Sequence, residues 1–231
     1  MFGIDGLEHG IFAMSELADQ SASGQERFCT LAKLDLNSPT VENLINLIVK
    51  RKVAIDPTIV TYQSLHPDFV PVTPDWLKYY SPEAQAYQTK LLSQSSKRNP
   101  AADECLLGAL QTQMRFVKKI YDKGGIIIAG TDPVIVTLTP GYGLQRELRN
   151  LVAAGLTPVQ AIHAATLVAA TVMRREKDLG SIERGKFADL VVVTGNPATR
   201  IEDAGNTEIV FKGGVQYNPA VLRKAAEGQI K

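Results

Sequence analysis

The fold is decided by residues 124–133, which read GGIIIAGTDP. The paired glycines end the helix predicted before them, because glycine adopts the left-handed conformation that closes a helix. Ile126–Ala129 is a continuous apolar run of the kind that forms strands buried on both faces of parallel sheets. Asp132 follows at the point where such a strand would end. The stretch therefore predicts a parallel α/β architecture with a carboxylate at a strand exit.

Further strands and helices fit the same architecture. Residues 1–12 read as a strand and its exit, and residues 53–55 as a second short buried strand. Apolar side chains at helical spacing predict helices over residues 39–52 and 101–123. A (β/α)8 barrel takes about 250 residues, and only about three strands of this chain fit that pattern. We therefore predict a partial barrel.

The composition excludes several classes of protein. The 231 residues carry 25 basic and 24 acidic side chains, which is not the basic excess of a nucleic-acid binder. No window approaches the ~18 consecutive apolar residues of a membrane span. Cys29 and Cys105 are too few for a disulfide framework, and free thiols are the default expectation. No compartment is assigned: a cytoplasmic location is the default, and a signal upstream of Met1 would imply a secreted or periplasmic one.

Two residues stand where catalytic groups of parallel α/β folds gather, at the carboxyl ends of strands. His9 lies at the exit of the first strand, in GLEHG, and Asp132 lies in AGTDP. An imidazole and a carboxylate are suitable ligands for Zn²⁺ or a similar divalent ion. Such an ion would lower the pKa of bound water toward ~7, and the carboxylate could accept the proton. Two alternatives stay open: His9 as a structural histidine, and Asp132 as the cap of a turn.

Other polar residues have ordinary explanations. His66 is predicted to be a surface loop residue, and His163 a packing or surface residue within a helix. Arg146, Glu147 and Arg149 are predicted to form a solvated helix face. No Walker-type phosphate loop, dinucleotide loop or GxSxG nucleophile elbow is present in the sequence.

Two regions have a distinct texture. Residues 58–100 are rich in Pro, Tyr, Gln and Ser. This segment is longer than most connections between helices and strands, and long segments of this kind often form lids or substrate walls. Within this inserted region, Tyr62, Trp76 and Tyr79 are the candidate substrate-binding residues. From about residue 179 onward, short apolar runs alternate with turns, which predicts a small β-rich lobe.

Five segments occur in a distinctive order: GLEHG (6–10), AGTDP (129–133), LQRELRNLVAAGLTPVQAIHAAT (144–166), LGSIERGKFADLVVVTGNP (179–197) and IVFKGGVQY (209–217). This order resembles the metal-dependent amidohydrolase superfamily, in particular its imidazolonepropionase-like and Xaa-Pro dipeptidase-like members. The resemblance covers nearly the whole chain and is weakest over residues 12–52 and 61–120.

The resemblance implies a fold and an activity. Residues 1–178 would form about strands six to eight of a TIM barrel, and residues 179–231 the C-terminal part of a small β-sandwich domain. His9 would ligate a divalent metal, with zinc favoured. Asp132 would ligate or adjoin the metal and shuttle protons. The implied reaction is hydrolysis of a carbon–nitrogen bond in a small-molecule amide, cyclic amide or dipeptide, without a nucleic-acid or membrane partner.

The departures from the family pattern affect what this chain can do alone. The family's His-x-His pair after strand one, carboxylated lysine after strand four and histidine after strand five have no counterpart here. Gln145 stands where many relatives have histidine. We therefore expect the C-terminal portion of a longer hydrolase, prone to aggregate or in need of a missing N-terminal segment or a second copy of itself. The alternative is a catalytically inactive truncated scaffold or interaction module.

Overall fold

A three-stranded parallel sheet with helices packed around it forms the first part of the molecule, in a mixed α/β arrangement. The computed structural model describes residues 4–15, 17, 21–22, 24–66, 76–95, 99–133 and 141–230. The elements up to the third strand are β1 (Gly6–Glu8), α1 (Gly10–Ser15), α2 (Gln25–Ala32), α3 (Pro39–Arg51), β2 (Ala54–Asp56), α4 (Ile59–Gln63), α5 (Pro82–Ser95), α6 (Pro100–Asp122) and β3 (Ile126–Ile127). After them come α7 (Tyr142–Ala153), α8 (Pro158–His163), α9 (Ala169–Val172), β4 (Leu190–Val193), β5 (Thr207–Lys212), β6 (Val215–Tyr217) and α10 (Pro219–Ala225).

The sheet has the order β1–β2–β3, and both strand pairs are parallel, as predicted. Leu7 lies opposite Ile55, and Ile55 opposite Ile127, so the three strands end at one edge. The third strand is shorter than the predicted run Ile126–Ala129. Its ladder stops because the next free N–H, that of Gly130, donates to the Asp56 side chain rather than to a neighbouring strand.

The helices predicted from apolar spacing are present, and their ends follow local chemistry. Ser38 caps α3 by accepting the N–H of Val41, and Lys52 closes it in the left-handed conformation. Asn99 caps α6 in the same way. No helix within the described ranges combines the length and the apolar character needed to cross a bilayer. The apolar faces of both helices point into one core. Its largest fully buried side chains include Phe116, Met14, Leu31, Ile45, Ile55, Ile59, Ile120, Ile127 and Leu151.

The inserted region 58–100 is more helical than a loop. It contains α4, a 3₁₀ turn over Trp76–Tyr79 and α5, while residues 67–75 and 96–98 lie outside the described part. The chain's end reaches this region, since Ile230 donates its N–H to Tyr79 O at 2.9 Å. Helix α5 begins at Pro82, and the hydroxyl of the preceding Ser81 accepts the N–H of Ala84.

The β-rich texture after residue 179 corresponds to an antiparallel sheet of order β4–β5–β6. Residues 179–182, the first short run of this region, form no strand. Leu179 N donates to Arg175 O at 2.9 Å, so the chain continues as a turn instead of extending. The helix that begins at Pro158 is interrupted by a π-helical stretch, Ala164–Val168, between α8 and α9. Thr157 and Gln160 form a capping box at its start.

The expectation of free thiols is wrong. Cys29 of α2 and Cys105 of α6 form a disulfide, with Cα atoms 4.5 Å apart. The two helices approach closely because Gly108 has no side chain: a Cβ there would meet the Ala32 Cβ at 2.7 Å. The two cysteines are 76 residues apart in the sequence, so the packing of α2 against α6 brings them together and no local spacing predicts the pair.

The disulfide should contribute measurably to stability. Joining residues 76 positions apart restricts the unfolded chain, and such links typically contribute about 2–4 kcal/mol. We expect the double variant Cys29→Ser/Cys105→Ser to unfold at lower urea concentration than the oxidised protein. Reductant should shift the midpoint of the wild type toward that of the variant and leave the variant unchanged. An equal midpoint for oxidised and reduced wild type would contradict this.

Candidate active site

His9 and Asp132 lie beside each other at the carboxyl edge of the parallel sheet. His9 follows β1, Asp132 follows β3, and His9 Nε2 is 3.5 Å from Asp132 Oδ2. Their side chains are 25% and 35% exposed, so both remain reachable from solvent. Each residue was predicted to follow the carboxyl end of a strand. Because the strands pair in register, these two ends lie next to each other.

Thr58 holds the imidazole ring of His9 in place. His9 Nδ1 and Thr58 Oγ1 are 2.9 Å apart, a hydrogen bond, which leaves Nε2 facing the carboxylate of Asp132. The ring of Tyr62 lies edge-on to the imidazole, with centroids 6.2 Å apart. The ring orientation is therefore defined from two sides.

The backbone at the site adopts conformations that side chains disfavour. His9, Thr58 and Asp132 have φ angles of +60°, +43° and +43°, in the left-handed region. For a β-branched residue such as Thr58 this is a genuine outlier. Conformations of this kind cost about 1–3 kcal/mol each and persist only where the surroundings impose them. All three residues follow a strand of the parallel sheet, so the strain is concentrated at the candidate site.

The loop that carries Asp132 is tied to α4. The hydroxyl of Thr61 donates to the main-chain oxygens of Thr131 and Asp132. Burial, and then the negative charge of Asp132, raise the pKa of Tyr62 to about 12. Tyr62 is therefore a neutral phenol at physiological pH, able to donate or accept a hydrogen bond beside the two candidate ligands.

Asp56, at the end of β2, helps to fix the loop that carries Asp132. It is buried, and its Oδ1 accepts the N–H of Gly130 at 2.8 Å. Burial, and then the charge of Glu8, raise the pKa of Asp56 to about 7. A Cβ at position 130 would lie 1.9 Å from Asp56 Oδ2, so this close approach requires glycine.

Glu147 corrects a prediction. It was expected on a solvated helix face with Arg146 and Arg149, but it is fully buried. Its two carboxylate oxygens accept the N–H groups of Ile59 and Val60 at 2.9 and 2.7 Å. Helix α7 packs this side against α4, which buries the carboxylate. Burial raises the pKa of Glu147 to about 8, although the two main-chain hydrogen bonds oppose the shift.

The remaining predicted residues have different surroundings. Tyr79 is buried, and its hydroxyl is 3.0 Å from that of Tyr142, a hydrogen bond that forms a second aromatic pair. Trp76 begins the 3₁₀ turn, and its side chain lies outside the described part. His163 is exposed and lines a cleft of about 360 Å³ with Lys52 and Arg174, near the amino ends of the strands. It is thus at the opposite edge of the sheet from His9.

The described residues provide a pair of candidate ligands, not a full set. Across the ranges that the structure covers, no group of three or more His, Cys, Asp or Glu side chains is arranged to hold a metal ion. Zinc sites in enzymes generally use three protein ligands. His9 and Asp132 are thus two candidate ligands, fewer than the three that such a site uses.

Comparison with known proteins now identifies the family. The model of the amidohydrolase family matches residues 40–217, which is most of the chain. The chain belongs to the amidohydrolase family. The predicted resemblance is thereby confirmed. Adenine deaminase 3 of Rhizobium meliloti is 36% identical to this amidohydrolase chain over 90 residues, 37% of the chain and 15% of the deaminase.

Solved structures share the amidohydrolase fold. A bottromycin amidohydrolase matches with a TM-score of 0.71 at 19% identity, covering 95% of this chain and 47% of its own. A Xaa-Pro dipeptidase with methionine bound in its active site matches with a TM-score of 0.59 at 24% identity, covering 94% of this chain and 40% of its own. The chain thus spans less than half the length of these structures.

The close approach of Gly130 to Asp56 predicts a specific sensitivity. The variant Gly130→Ala forces a methyl group against a buried carboxylate, so we expect a loss of about 1–3 kcal/mol in unfolding free energy. The control Gly6→Ala places a Cβ no closer than 3.7 Å to its neighbours and should be much milder. Denaturant unfolding of both variants checks this, and equal losses would contradict it.

The raised pKa of Glu147 predicts how stability depends on pH. Between its ordinary value of 4.5 and about 8, the folded state keeps a proton that the unfolded state has lost. The free energy of unfolding should therefore fall as pH rises through this window, by up to about 1.4 kcal/mol per unit. Asp56 contributes with the same sign. Urea unfolding at a series of pH values should show a shallower slope for Glu147→Gln, and identical slopes would refute the assignment.

Proposed function

We propose that this chain is part of a metal-dependent hydrolase acting on carbon–nitrogen bonds. The observation that carries the proposal is the 3.5 Å separation of His9 Nε2 and Asp132 Oδ2 at the carboxyl edge of a parallel sheet. Membership of the amidohydrolase family supports it. The adenine deaminase and Xaa-Pro dipeptidase relatives support the same class of bond.

The two side chains fit a divalent cation. A separation of 3.5 Å is longer than the 2.7–3.2 Å of a direct hydrogen bond. In the tautomer whose Nδ1 donates to Thr58, the Nε2 lone pair faces an anionic oxygen, an arrangement that a cation between them would stabilise. A ligand histidine typically donates its other ring N–H to a fixed partner, as His9 does in this tautomer. A nitrogen and an oxygen donor favour zinc.

Each residue then has a defined task. When bound, the cation would polarise the scissile carbonyl and acidify water. Asp132 would accept the proton of the attacking water and pass it to the leaving nitrogen. His9 would hold the cation, and Thr58 would keep the ring from turning away. Tyr62 would offer its neutral hydroxyl to the substrate, an amide, cyclic amide or dipeptide, while Trp76 and Tyr79 are proposed only as parts of the substrate wall.

The finer architecture belongs to the same proposal. Residues 1–178 would represent about strands six to eight of a TIM barrel with the inserted region 58–100, and residues 179–231 part of a β-sandwich. An apolar face of the second sheet, β4–β5–β6, supports the proposal of a β-sandwich. Val191 lies opposite Val210, and Val210 opposite Tyr217, and the two outer side chains are exposed. An apolar face of this kind is normally covered by a second layer.

A catalytically inactive scaffold or interaction module is the second candidate function. The absence of a third metal ligand among the described residues favours it for this chain acting alone. An N-terminal segment in trans, or a second copy of the chain, could supply further ligands to the first candidate. Metal affinity separates the two functions, because a scaffold has no need for a cation at His9.

Metal binding tests the proposal. We expect the purified chain to bind Co²⁺, used as a spectroscopic substitute for Zn²⁺, with only weak affinity because two protein ligands leave the ion largely solvated. His9→Asn and Asp132→Asn should each weaken binding at least about ten-fold. The control Asp122→Asn, at an exposed ion pair with Lys118, should bind as the wild type does.

Hydrolysis extends the same experiment. Release of product from Xaa-Pro dipeptides and N-acyl amino acids, measured with metal present, should be lost in Asp132→Asn. If neither ligand variant changes Co²⁺ binding, the metal site is wrong and the scaffold function is favoured.

A further inference from the structure

Helix α4 touches both halves of the candidate site. Thr58, immediately before it, bonds the His9 ring at 2.9 Å. Thr61, within it, donates its hydroxyl hydrogen to the main-chain oxygen of Thr131, the residue before Asp132. Tyr62 places its ring edge-on to the imidazole. One short helix therefore sets the position of the imidazole relative to the carboxylate.

Helix α4 lacks the usual means of holding its own first turn. It has five residues, and isolated helices shorter than ~12 residues are marginal in water. The residue before a helix ordinarily accepts an N–H of the first turn through its side chain. Thr58 makes no such bond, and its hydroxyl is engaged with His9 instead. It is also held at a φ of +43°, which a β-branched residue adopts only under constraint.

Glu147, and not the Thr58 side chain, accepts the N–H groups at the start of α4. Its carboxylate oxygens accept the N–H groups of Ile59 and Val60, the first two residues of α4, from a fully buried position on α7. Asn150, one turn later on α7, donates to Gln63 Oε1 at 3.2 Å, at the last residue of α4. Helix α7 therefore holds α4 at both ends.

We propose that Glu147 is a positioning residue for the site formed by His9 and Asp132. It caps α4 in place of Thr58 and so leaves the Thr58 hydroxyl available to orient the imidazole. The inference rests on the proposed function, since it concerns the same two ligands. The hydrogen bonds of the Glu147 carboxylate run to Ile59, Val60 and Asn150, so it acts through α4. The role differs from simple stabilisation because it predicts a change in the ring of His9.

Two variants test separately the contact of Glu147 with α4 and the contact of Thr58 with His9. Glu147→Ala removes the cap, and Thr58→Val removes the hydroxyl while keeping the branched shape. Both should disturb His9, Thr58→Val with the smaller loss of stability. The matched control is Asp203→Asn: Asp203 is also a buried carboxylate, and it accepts a main-chain N–H, that of Asn196 at 2.9 Å.

The ring nitrogens of the histidines provide a readout that needs neither metal nor turnover. In metal-free protein, ¹⁵N NMR at a fixed alkaline pH should show one dominant tautomer for His9, since Nδ1 is held by Thr58. In Glu147→Ala and Thr58→Val the two ring shifts of His9 should move toward each other. His163, at the opposite edge of the sheet, should not change. Asp203→Asn should leave His9 as in the wild type.

Co²⁺ affinity gives the second readout, with an expected loss of about ten-fold or more in Glu147→Ala and less than about two-fold in Asp203→Asn. If Glu147→Ala does not fold, Glu147→Gln, which keeps one acceptor, should show a smaller shift in the same direction. Wild-type ring shifts for His9 in every folded variant of Glu147 would overturn the proposal. Failure of the wild type to bind Co²⁺ would defeat the proposed function, and the NMR comparison would still decide the role of Glu147.

Discussion

The in-register parallel pairing of β1, β2 and β3 is the constraint on which the site depends. Because the strands run in the same direction and end at the same edge, the residues that follow them converge in space although they are far apart in sequence. His9, Thr58 and Asp132 each follow one strand, and each leaves it through a left-handed residue. A shift of one residue in either pair would turn the alternating side chains to the opposite face and separate the imidazole from the carboxylate.

Convergence alone does not hold the site, since the strained backbone must be imposed by its neighbours. Buried carboxylates perform this task in two places: Asp56 accepts the N–H of Gly130 in front of Asp132, and Glu147 accepts those at the start of α4. Both have raised pKa values because burial disfavours their charge. The geometry of the candidate ligands is thus maintained by buried groups whose charged form is disfavoured.

The sequence predicted the parts of this arrangement that follow periodic or end-of-strand rules. Helices α3 and α6 were predicted from their apolar spacing, and the positions of His9 and Asp132 at strand exits from the apolar residues that precede them. Glu147 was not recognised, because a charged residue between two arginines on a helix is ordinarily solvated, and its burial depends on the packing of α7 against α4. The disulfide was missed for the same reason: its cysteines meet only through the packing of α2 on α6. Sequence patterns report contacts within an element, while these depend on contacts between elements.

Contacts with neighbouring residues therefore hold His9 and the loop of Asp132 in place, although the described residues supply only two candidate ligands. Thr58 orients His9, Thr61 fixes the loop of Asp132, and neither contact needs a cation to form. A weak affinity for metal in this chain would follow from the number of ligands, because Thr58 already orients the imidazole and Thr61 already holds the loop that carries Asp132. Any segment or second chain that contributed further donors to this edge would meet a preformed half-site. Each added ligand would then raise metal affinity at a site whose imidazole is already oriented.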